Sequence, residues 1–309
     1  MCALAAHGMK WIHGKKALVT GAASGIGRSI ALALAEEGVD VWLLDIDEKG
    51  LRETVEACSN ANVVAIGEVC DLAKPGHITD AVRSLLGRWG KVDILVNNAG
   101  VCYYGPCENM SAQQWDWLMA VNLMAPIQLT RELLPTLLAQ DESHILNVCS
   151  IAGLMAAKRM AAYHASKFAL VGFSEALRVE YARRGLGVTA LCPGFVHTKL
   201  FETTVNGHPS KPLPRPPSWM CTTPEHVATA AMRAIHRNKG FVLVTITAHL
   251  LWALRRFLPR VFDFIRLEGW RGRKRVDLQQ DTSSAALEPA VPLASHAVAN
   301  RPTTTLNSR

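Results

Sequence analysis

Thr20-Gly21-Ala22-Ala23-Ser24-Gly25-Ile26-Gly27 follows the run Lys16-Ala17-Leu18-Val19 and opens a segment in which Ile30, Leu32 and Leu34 recur among alanines. A strand, a glycine-rich turn and a helix in that order bring unpaired backbone N–H groups and the positive end of a helix dipole to one point. The glycines permit the tight turn and a close approach of ligand to backbone, so a phosphate-bearing dinucleotide is expected at Gly21, Ser24, Gly25, Ile26 and Gly27. Alone, such a motif is only a turn. Its placement on the first strand of a repeating pattern gives it weight.

That pattern runs from residue 17 to about 246, short apolar runs alternating with helical ones. Strands are expected at Lys16–Thr20, Val39–Leu44, Val63–Ile66, Val92–Val96, Ser143–Val148, Gly187–Leu191 and Phe241–Ile246. Seven strands in βα alternation predict an α/β, doubly wound, Rossmann-type three-layer sandwich, a seven-stranded parallel sheet with helices on both faces. A chain of 309 residues, 49% of them hydrophobic, can bury such a core. Residues 1–13 read as an N-terminal extension and 14–246 as a single Rossmann-fold domain. Within it, 199–224 loses all period around Lys211-Pro-Leu-Pro-Arg-Pro-Pro-Ser218 and is expected to form a substrate loop. Residues 247–276 read as a basic amphipathic helical extension, and 277–309, with no aromatic residue, as a disordered tail.

The net charge of +7 is local, because residues 252–276 hold eight Arg and Lys against Asp263 and Glu268. The main domain is therefore near neutral and offers no footprint for nucleic acid. In the extension, Leu250, Leu254, Phe257, Leu258 and Val261 recur opposite arginines, which suggests peripheral membrane contact through 248–276; the apolar stretch is too short to span. Eight scattered cysteines without Cys-x-x-Cys point to a reducing compartment and no metal site. Met1–Lys16 lacks a signal-peptide core, and Met9 is an alternative start. A cytoplasmic location is expected.

At the end of the second strand, eighteen residues past Gly27, stands Asp45. A carboxylate there accepts hydrogen bonds from a ribose 2′-hydroxyl and repels a 2′-phosphate, favouring NAD over NADP. The competing reading is that Asp45 and Asp47 cap the next helix, with Arg28 and Lys49 as cations able to hold a phosphate.

Farther on, Tyr163-His-Ala-Ser-Lys167 begins thirteen residues after Ser150. A phenol titrates near 10 and handles protons at neutral pH only when its phenolate is stabilised; Lys167, one helical turn along, can supply the charge. Ser150 can hydrogen-bond a substrate oxygen as charge develops on it. A Tyr-x-x-x-Lys pair without context decorates a helix surface, and His164 and His197 read as packed or solvated histidines.

Together these motifs resemble the short-chain dehydrogenase/reductase family over roughly residues 14–246. The match includes Asp71 after the third strand, Asn97-Asn-Ala-Gly100 after the fourth, Asn122, Ser150, Tyr163-x-x-x-Lys167 and Pro193-Gly194 with Thr198. The resemblance implies catalysis by Asn122, Ser150, Tyr163 and Lys167, with Asn122 holding a water that links Lys167 to solvent. It also implies a cofactor-contacting set of Gly21, Ser24, Gly25, Ile26, Gly27, Asp45, Asp71, Leu72, Asn98, Ala99, Gly100, Tyr163, Lys167, Pro193, Gly194, Val196 and Thr198. Asp71 and Leu72 would flank the adenine, Asn98 would support the sheet beside the cofactor, and Thr198 would contact the carboxamide. Ser24 and Ile46 stand where NADP users of the family can carry a basic residue, so NAD is again favoured.

Leu154, Met155, Tyr103, Tyr104, Phe195, Phe201 and Trp219 are expected on the substrate side, which favours a hydrophobic secondary alcohol or ketone, lipid- or steroid-like. A homo-oligomer is expected. The alternatives are a 3-oxoacyl thioester reductase using NADPH and, from another class, a non-catalytic dinucleotide sensor or membrane-surface scaffold.

Overall fold

In a computed structural model of the chain, residues 8–207, 213 and 216–264 are described. Seven strands, β1 (Lys16–Thr20), β2 (Asp40–Asp45), β3 (Ala65–Val69), β4 (Ile94–Asn97), β5 (Ser143–Val148), β6 (Leu186–Cys192) and β7 (Phe241–Leu243), form one sheet in the order β7-β6-β5-β4-β1-β2-β3. Every pairing in it is parallel. The helices between them are α1 (Gly25–Glu36), α2 (Glu48–Ser59), α3 (Pro75–Trp89), α4 (Ala112–Met119), α5 (Ala125–Leu138), α6 (Ala161–Tyr181), α7 (Pro224–His236) and α8 (Ile246–Phe257). This is the doubly wound Rossmann-type fold.

Because successive strand residues face opposite ways, each strand feeds two cores. Val19, Leu43, Val96 and Leu146 face α1 and α7, where Ile30, Leu34, Val227 and Ile235 meet them. Their neighbours Leu18, Leu44, Leu95 and Ile145 face α3, α5 and α6 through Ile78, Leu85, Leu129, Leu133 and Leu177. Met9 and Ile12, ahead of β1, belong to the first core. Strand order reverses at β1, which pairs β2 on one side and β4 on the other, so the loops after β1 and β4 meet at the carboxyl edge where such sheets bind ligands.

Two strands depart from expectation by three residues at one end. β3 spans Ala65–Val69 rather than Val63–Ile66, since Asp40 accepts the Val64 N–H (2.8 Å) and leaves that residue outside the strand. β7 ends at Leu243 rather than Ile246, because Thr245 caps α8, its hydroxyl accepting the Ala248 N–H at 3.1 Å.

The chain divides into two compact units, Met1–Val261 and Phe262–Arg309. Of the second, Phe262–Phe264 are described, in helical conformation. The segment expected to be a disordered tail, and most of the basic run, lie outside the described residues. No described helix is long and apolar enough to cross a membrane.

Candidate active site

The glycine loop is built tight. Gly21 and Gly25 take left-handed backbone (φ +64° and +55°), and a Cβ on Gly27 would stand 2.0 Å from the Gly21 carbonyl oxygen. Asn98 holds the loop from β4, its amide donating to the carbonyls of Thr20 (2.9 Å) and Gly21 (3.1 Å). The Thr20 hydroxyl accepts the Asn98 and Ala99 N–H groups (3.0 and 3.1 Å). At the start of α1 the Ser24 side chain makes no capping bond and the first turn carries no acid, leaving its N–H groups and dipole for an anion. Thr198 borders the cradle, its methyl 3.2 Å from where a Gly25 Cβ would lie.

Asp45 sits beside the loop, accepting the Ala23 N–H at 2.8 Å and the Asp47 N–H at 3.0 Å. Asp47 is the cap of α2, bonded to the Gly50 N–H. Arg28 pairs with Glu53 at 3.5 Å. Asp71 accepts the Ala73 N–H (3.0 Å) and meets Lys74 at 3.5 Å, with Leu72 buried next to it.

The second half of the site comes from β5, β6, α6 and the turn joining α4 to α5. Residues Ala120–Met124 form a π turn, the Ala125 N–H reaching back to Ala120. This buries Asn122, whose amide accepts the Val101 N–H (2.8 Å) and donates to the Val101 carbonyl (2.9 Å) and the Ser166 hydroxyl (3.2 Å). Ser166 donates in turn to the Tyr163 carbonyl at 2.8 Å. Ser150, two residues past β5, caps the short turn Ile151–Gly153 by accepting the Ala152 N–H at 3.0 Å.

Tyr163 and Lys167 share one face of α6 and are nearly inaccessible, 7% and 3% exposed. The Lys167 ammonium donates to the Val148 carbonyl at 3.0 Å and lies 5.9 Å from the Tyr163 ring centre. The Ser150 hydroxyl lies close enough to act on the phenol. Burial raises the Tyr163 phenol above its ordinary value, against the lowering pull of Ser150. Burial likewise lowers Lys167, opposed by the thiols of Cys149, Cys192 and Cys102. The phenol is thus a protonated donor at neutral pH, with a cation near enough to stabilise the phenolate left behind.

Pro193 accepts the Ile151 N–H (2.8 Å), tying the serine turn to the end of β6, and Gly194 packs on the Thr245 side chain. Phe195–Val196 pairs with Cys221–Thr222. Cys102, Leu118, Ala152 and Ala162 surround Tyr163 with Met160, Leu200 and Val205 against them. Tyr103, expected to line the substrate side, instead belongs to this packed cluster, 2% exposed, with its hydroxyl wedged between Gly105 and Gly207. His164 is buried and bonded: Nδ1 pairs with the Ala152 carbonyl (2.8 Å) and Nε2 accepts the Ala157 N–H (2.7 Å). Sequence reasoning missed Ser166, whose position three residues after Tyr163 was the available signal, and the Val148 carbonyl, which has none.

Residues 15–208 match the family profile described as short chain dehydrogenase. The chain belongs to the short-chain dehydrogenase family. It is 32% identical over 233 residues to the D-beta-hydroxybutyrate dehydrogenase of Cupriavidus necator, covering 72% of this chain and 90% of that protein. A short-chain dehydrogenase/reductase from Burkholderia phymatum, solved in complex with NAD, superposes with a TM-score of 0.72 at 30% identity, over 84% of this chain and 96% of its own. An actinorhodin polyketide ketoreductase solved with NADPH gives 0.68 at 32%, over 74% and 95%. This short-chain dehydrogenase is an oxidoreductase of CH–OH substrates that works with a nicotinamide dinucleotide. The glycine cradle and the uncapped start of α1 fit that group.

Proposed function

We propose that this short-chain dehydrogenase interconverts a secondary alcohol and its ketone on a hydrophobic substrate and prefers NAD. The observation that carries the reading is the Ser150–Tyr163–Lys167 constellation, a buried phenol next to the Ser150 hydroxyl with a buried cation on its own helix face. The dinucleotide, when bound, supplies or accepts the hydride. In reduction, Ser150 and Tyr163 hydrogen-bond the carbonyl oxygen, the phenolic proton passes to it as negative charge builds, and Lys167 stabilises the resulting phenolate. Oxidation runs the same path backwards. Asn122, tied to Ser166 and Val101, fixes the π turn behind the pair.

The remaining roles follow from position. Gly21, Ser24, Gly25, Ile26 and Gly27 would receive the pyrophosphate, Asp71 and Leu72 the adenine, and Thr198 with Pro193, Gly194 and Val196 the nicotinamide end. Asn98, Ala99 and Gly100 would back it from β4. Asp45 beside the loop, with Arg28 already paired to Glu53, supports NAD over NADP. The apolar cluster around Tyr163 supports a hydrophobic substrate, lipid- or steroid-like, over a sugar or a hydroxy acid.

A cytoplasmic setting with peripheral membrane contact belongs to the same reading. The thiols of Cys58, Cys70, Cys102, Cys107, Cys149, Cys192 and Cys221 are free. Ile246, Leu250 and Phe257 form one outward stripe on α8, 80%, 66% and 73% exposed, with exposed Arg256 alongside to meet an anionic lipid surface. Exposed Met124 and Val179 support self-association.

Tyr163→Phe decides the central claim. It should bind NADH with near wild-type affinity while turnover in a panel of hydrophobic alcohols and ketones, followed at the NADH absorbance band, falls by about a thousandfold or more. Turnover close to wild type would sink the proton path.

A further inference from the structure

The turn that carries Ser150 is held from three sides, and one of the three holds comes from far outside the residues that match the family. Ile151 donates to Pro193 at the end of β6 (2.8 Å), and His164 on α6 meets the Ala152 carbonyl (2.8 Å). The third comes from α8. There the Arg255 guanidinium, through Nη1, donates to the Leu154 carbonyl, and its Cζ lies 5.5 Å from the Phe168 ring centre. Leu154 immediately follows the turn and Phe168 immediately follows Lys167. A single side chain therefore touches the backbone beside Ser150 and the helix residue beside Lys167.

We propose that Arg255 is a positioning residue for the Ser150 turn and for the substrate wall at Leu154 and Met155. The inference rests on the oxidoreductase reading above. The chemistry suits the task. A guanidinium keeps its charge at all working pH values, makes a charge-assisted bond to a carbonyl and lies flat on an aromatic face at the same time. Leu154 also packs against the cluster of Cys149, Leu170, Val171 and Cys192, so its backbone is fixed by side chain and carbonyl together. Without the guanidinium the carbonyl returns to solvent and the turn after Ala152 keeps only its contacts to β6 and α6. The helix that bears Arg255 is itself pinned at its other end, where Thr245 caps it and packs on Gly194. Thus α8 grips the site at two points, one on the serine turn and one on the Pro193-Gly194 segment.

Arg255→Met, which keeps the aliphatic stem and removes the guanidinium, tests the assignment, with Arg256→Met, exposed on the same helix, as the control. The expected result is a kcat/KM at least about tenfold below wild type in Arg255→Met, NADH affinity within about twofold, and an unaltered Arg256→Met. Amide hydrogen exchange over residues 151–157 should be faster in Arg255→Met than in wild type or Arg256→Met. Exchange indistinguishable from wild type, or kcat/KM within about twofold of it, overturns the proposal. If Arg255→Met does not accumulate as folded protein, Arg255→Lys, which keeps charge and reach but loses the planar fork, is read in the same way, and exchange identical to wild type again overturns it. Should wild type turn over no alcohol or ketone, the oxidoreductase reading fails while the exchange comparison still judges Arg255.

Discussion

In the proposed reading, Asp45 serves folding and recognition together. Its two carboxylate oxygens hold the Ala23 and Asp47 N–H groups, so the charge proposed to meet a ribose is also the acceptor that fixes the glycine loop against β2. Replacing it should therefore have two effects. Asp45→Ser is expected to lower the NADH-over-NADPH ratio of kcat/KM by about tenfold or more, by removing the repulsion of a 2′-phosphate. It should also lower Tm by a few degrees, since two N–H groups lose their acceptor at roughly 1 kcal/mol each. A ratio that stays put in a folded variant argues that the carboxylate only caps and orders the loop. The reading of Asp45 from sequence offered ribose recognition and capping as rivals, and the geometry is compatible with both at once.

Among the elements, the paired strands β5 and β6 carry a titratable group that matters for stability rather than chemistry. His144 on β5 is fully buried, with Nε2 2.9 Å from the Thr189 hydroxyl of β6, which itself donates to the Lys239 carbonyl. The hydroxyl thus accepts from Nε2–H, and Nδ1 faces Gly187, where a Cβ would approach it to 2.3 Å. Burial, helped by Arg178, pushes the ring down from 6.5 to about 3. As pH falls through 6.5 the unfolded chain takes up a proton that the folded chain refuses, so stability declines from there and levels off below about 3. The slope reaches at most ~1.4 kcal/mol per pH unit from this residue. Denaturant unfolding between these limits should show that slope in wild type and a shallower one in His144→Gln. Equal slopes would place the acid sensitivity elsewhere.

The same scale shows what the sequence could reveal. β1 and β5 fall where their apolar runs predict, because both are central strands bounded by turn residues. β3 starts two residues and ends three residues later than expected because it lies at the sheet edge, where Gly67 and Glu68 dilute the apolar signal and the Trp42 indole, donating to Glu68, is invisible to periodicity. Thr245 reads as a β-branched strand residue, yet its hydroxyl closes α8. Within the site, Tyr163, Lys167 and Ser150 were legible as spaced residue types and Asn122 only through the family resemblance, and the structure adds backbone contacts that carry no letter: the Val148 carbonyl under Lys167 and the Leu154 carbonyl under Arg255.

At the scale of the whole molecule, α8 has one face turned inward and one turned out. Arg255 and Ala248 face inward while Ile246, Leu250 and Phe257 face out, so the apolar stripe can be altered without touching the serine turn. Leu250→Ser with Phe257→Ser should keep turnover on a water-soluble substrate. It should also reduce partitioning onto phosphatidylserine-containing vesicles by about thirtyfold or more, each exposed side chain contributing on the order of 1–2 kcal/mol of burial. Equal recovery with and without the two changes would remove the lipid surface from the account.

The position of β1 sets an order of assembly. As the chain grows, β1, β2 and β3 can pair at once, but the far edge of β1 stays bare until β4 arrives, with Ala17 waiting for Ile94. β4 also delivers Asn98, whose amide closes the glycine loop. The side chains that close the glycine loop, Asp45 and Asn98, thus precede Ser150, Tyr163 and Lys167 in the chain, while Thr198 joins its border later. Ligand held by the loop on a chain that still lacks β5 would favour the pairing of β4 with β1 over wrong neighbours.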